Sequence, residues 1–222
     1  MAVGSFSGKF ISNLNCQSGA TIPVIVTEGG NGEAKLWHQK IQIPYIAGSG
    51  RLDQNWNWPN LVFWFHLMER LLGRNTAFFQ FNAKDNRGDA FPVGQLLVSD
   101  RYPYFPDKGQ PSVFLWFLSA APTQALIARG LPSDLKLMRA LVDTAIQFSF
   151  QRGYEGLLTL HAALSGNPSE DNELLQKYER GVELFSYPAT RRISPVRRND
   201  GRYFYSDHAQ SLALTTKLNY LR

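Results

Sequence analysis

The sequence has 222 residues, of which 44% are hydrophobic and 18% are charged, and its formal net charge is +5. This length and composition exclude a disordered chain and predict one globular domain around a single core. The only cysteine, Cys16, excludes an internal disulfide framework, and the four scattered histidines predict no metal site. We expect a cytoplasmic protein with no membrane partner, because no apolar stretch has the length of a signal peptide core or a membrane span.

The excess of positive charge favours an anionic partner, which could be a phosphorylated cofactor, an acidic substrate or nucleic acid. The basic residues are spread along the chain, apart from the pairs Arg191 with Arg192 and Arg197 with Arg198. Such a spread is more typical of a solvated surface than of a nucleic-acid track. Nucleic-acid binding is therefore the least favoured of three hypotheses about the function.

The first half of the chain predicts strands followed by a helix and a hairpin. Residues 20–27 and 36–46 have the composition of strands, and Gly-rich turns follow both of them. Pro59 begins a helix, whose apolar residues recur at helical spacing until Gly73. Two further strands, at 77–81 and 91–98, flank a polar turn and predict an antiparallel hairpin.

The second half predicts a strand–helix–strand unit. The apolar run at 112–118 is a central strand, Ser133 caps a long helix that ends at Gly153, and 156–161 is the next strand. A right-handed crossover should make these strands parallel. Beyond them we predict a helix near 170–180, a strand at 182–187, and a hairpin at 196–205 around the Asn-Asp-Gly turn.

These elements predict an α/β protein with a mixed sheet. We interpret 1–222 as one domain. Its N-terminal strands, helix and hairpin span 1–110, its core spans 111–187, and a C-terminal hairpin and tail span 188–222.

Within this core, three stretches resemble the Gcn5-related N-acetyltransferase (GNAT) superfamily. The stretch MRALVDTAI at 138–146, followed by Gly153 and by LTLHA at 158–162, is similar to the family's cofactor helix, its terminal glycine and the next strand. The stretch LLQKYERGV at 174–182 is similar to the tyrosine signature on the family's following helix. The resemblance covers about a third of the chain. It implies a GNAT-like central mixed sheet flanked by helices.

The resemblance also implies a cofactor, an acceptor and a set of site residues. Acetyl-CoA or another acyl-CoA would lie between two diverging parallel strands, and its diphosphate would meet a helix start. The acceptor would be an amine on a small molecule or a protein. Tyr178 matches the catalytic tyrosine, which protonates the leaving thiolate. The residues placed against the cofactor are Leu118, Ser119, Ala120, Ser133, Asp134, Leu135, Lys136, Leu137, Met138, Arg139 and Asn172.

The chain departs from the family at the helix start, where the family has a glycine-rich loop. Residues 133–138 contain no glycine, and Asp134 adds a negative charge. Either the loop is rebuilt around Gly130, or cofactor binding has weakened or been lost. The first hypothesis is therefore an N-acyltransferase, and the second is a binding or interaction module of the same fold without catalysis.

Several residues keep two interpretations. His161 could be a general base or a core histidine, and Asn172 could contact the cofactor or cap a helix. Three acidic residues could face an acceptor pocket: Glu28, Glu69 and Asp100. One aromatic cluster could wall that pocket or fill the core, and it contains Trp56, Trp58, Phe63, Trp64 and Phe65.

Overall fold

The computed structural model describes residues 9–164, 167–193 and 199–222. Its centre is one mixed sheet, in which the strands follow the order β1-β2-β3-β4-β5-β6-β8-β7. The strands are β1 Asn13–Asn15, β2 Thr21–Gly29, β3 Thr76–Lys84, β4 Ala90–Pro103, β5 Pro111–Ala120, β6 Leu158–His161, β7 Phe185–Ser186 and β8 Tyr203–Ser206.

Helices connect and cover these strands. The α-helices are α1 Asn31–Trp37, α2 Trp58–Leu71, α3 Thr123–Ile127, α4 Leu137–Gln151, α5 Pro168–Gln176 and α6 His208–Lys217. Two π-helical segments, His38–Ile46 and Lys177–Gly181, continue α1 and α5, and a 3-10 turn at Asn219–Leu221 follows α6.

The strand pairing confirms the predicted α/β class and its strand–helix–strand unit. Strands β1 to β5 pair antiparallel in succession, and β5 then pairs parallel to β6. Helix α4 lies between β5 and β6 in the chain, as the crossover rule requires. The predicted hairpin is confirmed as β3 and β4.

The prediction of a strand at 36–46 is wrong, because this segment is helical. The buried residues Ala34, Trp37 and Ile41 are three and four positions apart, which is the spacing of one helix face. Glu33 marks the helix start, since its carboxylate accepts the N–H of Gly30 at 2.8 Å.

The predicted start of the long helix is also wrong. Helix α4 begins at Leu137, and Ser133 lies four residues earlier in an irregular segment. That segment is held by β1, because Lys136 N–H donates to the Asn15 carbonyl at 2.8 Å and Leu135 forms a β-bridge with Cys16. Pairing with a distant strand, rather than a local cap, therefore decides where α4 starts.

The C-terminal part differs from the prediction as well. Within the predicted strand at 182–187 only Phe185–Ser186 pairs, and the tail contains the unpredicted helix α6. Helix α6 has a cap that the sequence shows, since the Asp207 side chain accepts the N–H of Gln210. Residues 196–198 of the predicted hairpin lie outside the described residues.

Gly94 sets the distance between α4 and the sheet. A Cβ atom at this position of β4 would lie 3.3 Å from Leu141 and 3.4 Å from Leu137. The absence of a side chain therefore lets the first turns of α4 approach the sheet closely, beside the end of β5.

Candidate active site

The parallel strands β5 and β6 diverge after a short pairing. They pair only from Val113 with Leu158 to Leu115 with Leu160, whereas β5 continues to Ala120. A β-bulge lies at this point, because Leu97 and Val98 of β4 pair with Phe117 and Leu115 and leave Trp116 without a β4 partner. Bulges bend a strand and increase its twist, so the bulge accounts for the separation of β5 from β6.

A cleft of about 520 Å³ opens where the two strands separate. One wall is the second half of β5, and the floor includes Met138 and Leu141 of α4. The opposite wall comes from His161, α5 and the π-helical segment that contains Tyr178. The loop at 49–53 closes one side. The volume is within the usual range of small-molecule sites.

Tyr178 is buried at the edge of this cleft. Its ring lies 5.3 Å from that of Phe204 in β8, and burial raises the pKa of its hydroxyl above the ordinary value. A tyrosine in this state keeps its proton and so remains a hydrogen-bond and proton donor.

His161 is the last residue of β6. It directly follows Leu160, which forms the last pair between β6 and β5. Its Nε2 atom lies 2.9 Å from Oδ2 of Asp200, and its ring lies 4.3 Å from that of Tyr203. Although burial acts to raise it, the hydrogen bond with His161 holds the pKa of Asp200 below its ordinary value. An ionised carboxylate therefore fixes the imidazole, which is the arrangement of an oriented base.

A second charged group fixes the loop at 49–53 to the end of β5. The Arg51 guanidinium donates to both oxygens of Asp53 at 2.9 Å and to the carbonyl of Ala120 at 3.1 Å. Asp53 also accepts a hydrogen bond of 2.5 Å from the hydroxyl of Ser119. These bonds satisfy a buried carboxylate and set the shape of the cleft beside the bulge.

The start of α4 offers two free backbone donors. Lys136 N–H donates to the Asn15 carbonyl and Leu137 N–H to the Leu135 carbonyl, so the donors left for a ligand are those of Met138 and Arg139. Asp134 does not block the cleft, since its carboxylate accepts the N–H of Ser18 at 2.9 Å. That bond also holds the pKa of Asp134 below its ordinary value.

Gly130 does not rebuild a phosphate loop at this place. It has a φ of 67°, and a Cβ there would lie 2.8 Å from Asn86 in the turn between β3 and β4. The start of α4 therefore offers free backbone N–H groups without a glycine-rich loop.

The structure brings only part of the predicted cofactor set to the cleft. The lining contains Leu118, Ser119, Ala120 and Met138, together with Tyr178. The residues Ser133, Leu135, Lys136 and Leu137 are not in this lining. The Arg139 side chain bonds to the carbonyl of Gly181 and lies 3.5 Å from Glu183.

Asn172 lies on the exposed surface of α5. It is not the cap of that helix, because Asn167 has this role and accepts the N–H of Ser169 at 3.1 Å. The hypothesis that Asn172 caps the helix is therefore wrong.

The three acidic residues considered as bases do not line the cleft. Glu69 is buried against Arg74, Asp100 accepts the N–H of Asn75, and Glu28 is exposed on β2. Among the acidic residues that do line it are Asp53, Glu170 and Glu173, which the sequence analysis did not propose.

The aromatic cluster divides into three groups. Trp56 lines the cleft and packs edge-on against Phe117 at 4.8 Å. Trp58 and Phe65 pack against the sheet, whereas Phe63 and Trp64 are exposed on the far side of α2. Trp58 and Phe65 therefore belong to the core, and Trp56 is the member of the cluster that lines the cleft.

Sequence reasoning missed Arg51, Asp53 and Asp200. The first two lie in a loop without regular structure, and only the tertiary fold brings them to β5. Asp200 belongs to the Asn-Asp-Gly turn, in which Asn199 accepts the N–H of Gly201. Because the composition of this segment is typical of a turn, it gave no sign that the Asp200 carboxylate also binds His161.

No protein-family model matches the sequence, and no curated protein matches it. Several solved structures are similar in fold. A mutant of the AtaT toxin, bound to the C-terminus of the antitoxin AtaR and acetyl-CoA, has 12% identity and a TM-score of 0.47, over 87% of this chain and 98% of that chain.

Spermidine N-acetyltransferase from Vibrio cholerae, in complex with CoA and spermine, has 13% identity and a TM-score of 0.46, over 85% of this chain and 98% of that chain. Likeness at this level assigns no residue and no reaction to the present chain.

None of the helices in residues 9–164, 167–193 and 199–222 combines the length and the hydropathy needed to cross a membrane. The same residues contain no group of three or more His, Cys, Asp or Glu side chains that could hold a metal ion.

Proposed function

We propose that the protein is an N-acyltransferase that moves an acetyl or other acyl group from acyl-CoA to an amine. The observation that supports this most directly is the cleft between β5 and β6, which opens at the Trp116 bulge and contains Tyr178 and His161. A separated pair of parallel strands exposes backbone donors and acceptors, with which an extended arm can pair.

When bound, acyl-CoA would supply a thioester carbonyl, at which a C–N bond to the amine forms while the C–S bond breaks. The residues of the chain would then have separate tasks. His161, held by Asp200, removes the proton of the amine, and Tyr178 donates its hydroxyl proton to the departing sulfur. A backbone N–H at the bulge stabilises the developing negative charge on the carbonyl oxygen.

The start of α4 would hold the diphosphate. The first-turn N–H groups of Met138 and Arg139 are donors at the positive end of the helix dipole. Lys136 is exposed beside them and adds a positive charge. The ionised Asp134 opposes an anion nearby, so we expect weaker binding than a glycine-rich loop would provide.

The first experiment measures binding of acetyl-CoA by isothermal titration calorimetry. We expect a dissociation constant between about 1 µM and 1 mM, with free CoA as a competitor. Leu118→Trp should abolish binding, because it adds a ring inside the cleft. Ile127→Trp is the matched control, since Ile127 is exposed on α3 and outside the cleft. An absence of binding at millimolar acetyl-CoA would reject the proposal.

The second experiment tests for transfer. Incubation with acetyl-CoA and a panel of primary amines should release thiol in equal amount to the N-acetylated product. Binding without release of thiol for any amine or protein acceptor would favour the alternative, a binding module of this fold. The irregular segment before α4, which is paired to β1, is the feature that supports this alternative.

A further inference from the structure

Helix α2 has a continuous apolar face that is largely exposed to solvent. Six large hydrophobic residues form it, and between 42% and 74% of the surface of each is exposed. They are Phe63, Trp64, Leu67, Met68, Leu71 and Leu72. We refer to them as the α2 face.

Helix α2 has apolar residues on both its inner and its outer side. Its inner side buries Trp58 and Val62 but also Glu69, whose carboxylate lies 3.4 Å from the Arg74 guanidinium. A buried carboxylate beside an exposed hydrophobic face is the reverse of the usual distribution. The exposed fractions correspond to about 600–700 Å² of mostly apolar surface, which is at or above the largest patch of a typical monomer.

We propose that the α2 face is the contact between two copies of this chain, related by a two-fold axis. Complete burial of this face in a symmetric pair would remove at most about 1,200–1,400 Å² from water, which reaches the lower end of the range of stable protein interfaces. Phe63 and Trp64 already pack edge-on, with ring centroids 5.4 Å apart. Two large rings held in this way are typical anchors of an interface.

The spacing of the residues favours a copy of the same helix as the occupant. Residues 63, 67 and 71 form one row of i±4 spacing, and 64, 68 and 72 form the next. In the commonest class of helix packing such rows from both helices interdigitate at about −50°. A second α2 supplies the matching rows, and a two-fold axis lets each face meet itself.

The charges of the helix argue against a membrane surface as the occupant. Helices that lie on membranes have a polar side rich in Lys and Arg. In α2 the only basic residues are Arg70 and His66, and His66 Nδ1 lies 2.7 Å from the Val62 carbonyl. The α2 face is therefore apolar without the charge that would direct it to anionic lipids.

Sedimentation equilibrium of the full chain tests the proposal. At ~100 µM, a concentration that detects micromolar association, we expect twice the chain mass of 25.1 kDa. The double variant Leu67→Glu with Met68→Glu should reduce this to the mass of one chain, because it places charges at the centre of the contact. Ile127→Glu is the control and should remain dimeric, since Ile127 is equally exposed on α3.

Cross-linking tests the geometry. Cys16 is the only cysteine and is buried, so Leu67→Cys introduces one accessible thiol. Because residue 67 lies near the middle of the α2 face, a short bis-maleimide should join two copies there, whereas Ile127→Cys should remain uncoupled.

Three results would overturn the proposal. They are a single-chain mass for the wild type at all concentrations, a dimer that persists in the double glutamate variant, and a monomer whose α2 face binds phosphatidylserine vesicles. Circular dichroism of the double variant shows whether its fold is retained. If it is not retained, the cross-linking yield of Leu67→Cys decides.

Discussion

The Nε2 atom of His161 lies 2.9 Å from Oδ2 of Asp200, across the end of β6. The other carboxylate oxygen of Asp200 accepts the N–H of Arg202 at 3.1 Å. The carboxylate is therefore held on both sides, and the imidazole has one defined orientation towards the cleft. This pair forms only when the segment that contains residues 199–202 returns to the sheet edge.

If His161 is the base and Asp200 orients it, the effects of substitutions at these two positions on kcat should not be additive. His161→Gln should lower kcat by about 10²- to 10⁴-fold, and Asp200→Asn by about 10-fold or more, because the ring loses its orienting charge. The double variant should be no slower than His161→Gln alone, since Asp200 acts through His161. His208→Gln is the control, as His208 is exposed and contacts the Glu155 carbonyl. Steady-state kinetics with an excess of acyl-CoA measures each value, and independent multiplicative losses would contradict the pairing.

The proposed acid predicts a specific effect of Tyr178→Phe. The variant should lower kcat by about 10²-fold and leave the affinity for acyl-CoA unchanged, because only the donated proton is lost. Burial raises the pKa of Tyr178, so the hydroxyl remains protonated as the pH increases. The ratio of wild-type to variant rates should therefore be constant from about pH 6 to 9. Tyr220→Phe is the matched control at an exposed position, and an effect of less than twofold at Tyr178 would exclude the role.

The contact between Asp53 and Ser119 predicts a local loss of stability. Asp53→Asn should lower the free energy of unfolding by about 1–3 kcal/mol, since the buried charge that satisfies Arg51 and Ser119 is removed. Ser119→Ala removes one hydrogen bond and should cost about 1 kcal/mol. Urea denaturation measures both as a lower midpoint with an unchanged slope. If Asp53→Asn also leaves amine turnover unaffected, this loop does not shape the acceptor side of the cleft.

Asp85 predicts a dependence of stability on pH. Although desolvation acts to raise it, the N–H groups of Arg87 and Asp89 and the nearby Arg129 hold the pKa of Asp85 below its ordinary value. A folded-state pKa below the unfolded one stabilises the protein above the unfolded pKa, and this stabilisation is lost as the pH falls through the folded value.

Asp85→Asn should therefore lower the Tm near neutral pH, and the difference from wild type should shrink below about pH 4. Calorimetry at several pH values measures it. A difference in Tm that stays constant down to about pH 3 would show that the charge of Asp85 does not contribute.

Local signals in the sequence were sufficient for much of the fold. The polar turn between the two strands of the β3–β4 hairpin, the apolar run of β5 and the glycine after α4 each act within a few residues, so their positions could be predicted. The prediction of a strand at 36–46 was wrong because a short apolar stretch can fit the pattern of a strand and that of a helix. Tertiary packing of Trp37 and Ile41 decided in favour of the helix.

The sequence by itself determined the class of the fold and the parallel strand–helix–strand unit, and its resemblance to a known family singled out Tyr178. These follow from periodicity, from the handedness of crossovers, and from a motif of neighbouring residues. Only the tertiary structure decided where α4 begins, where β5 bends away from β6, and which charged residues meet in the cleft. Strand register across β4 and β5, and contacts such as Arg51 with Ala120 and His161 with Asp200, depend on residues far apart in the chain. These contacts can form, and stabilise the fold, only when the whole sheet has formed.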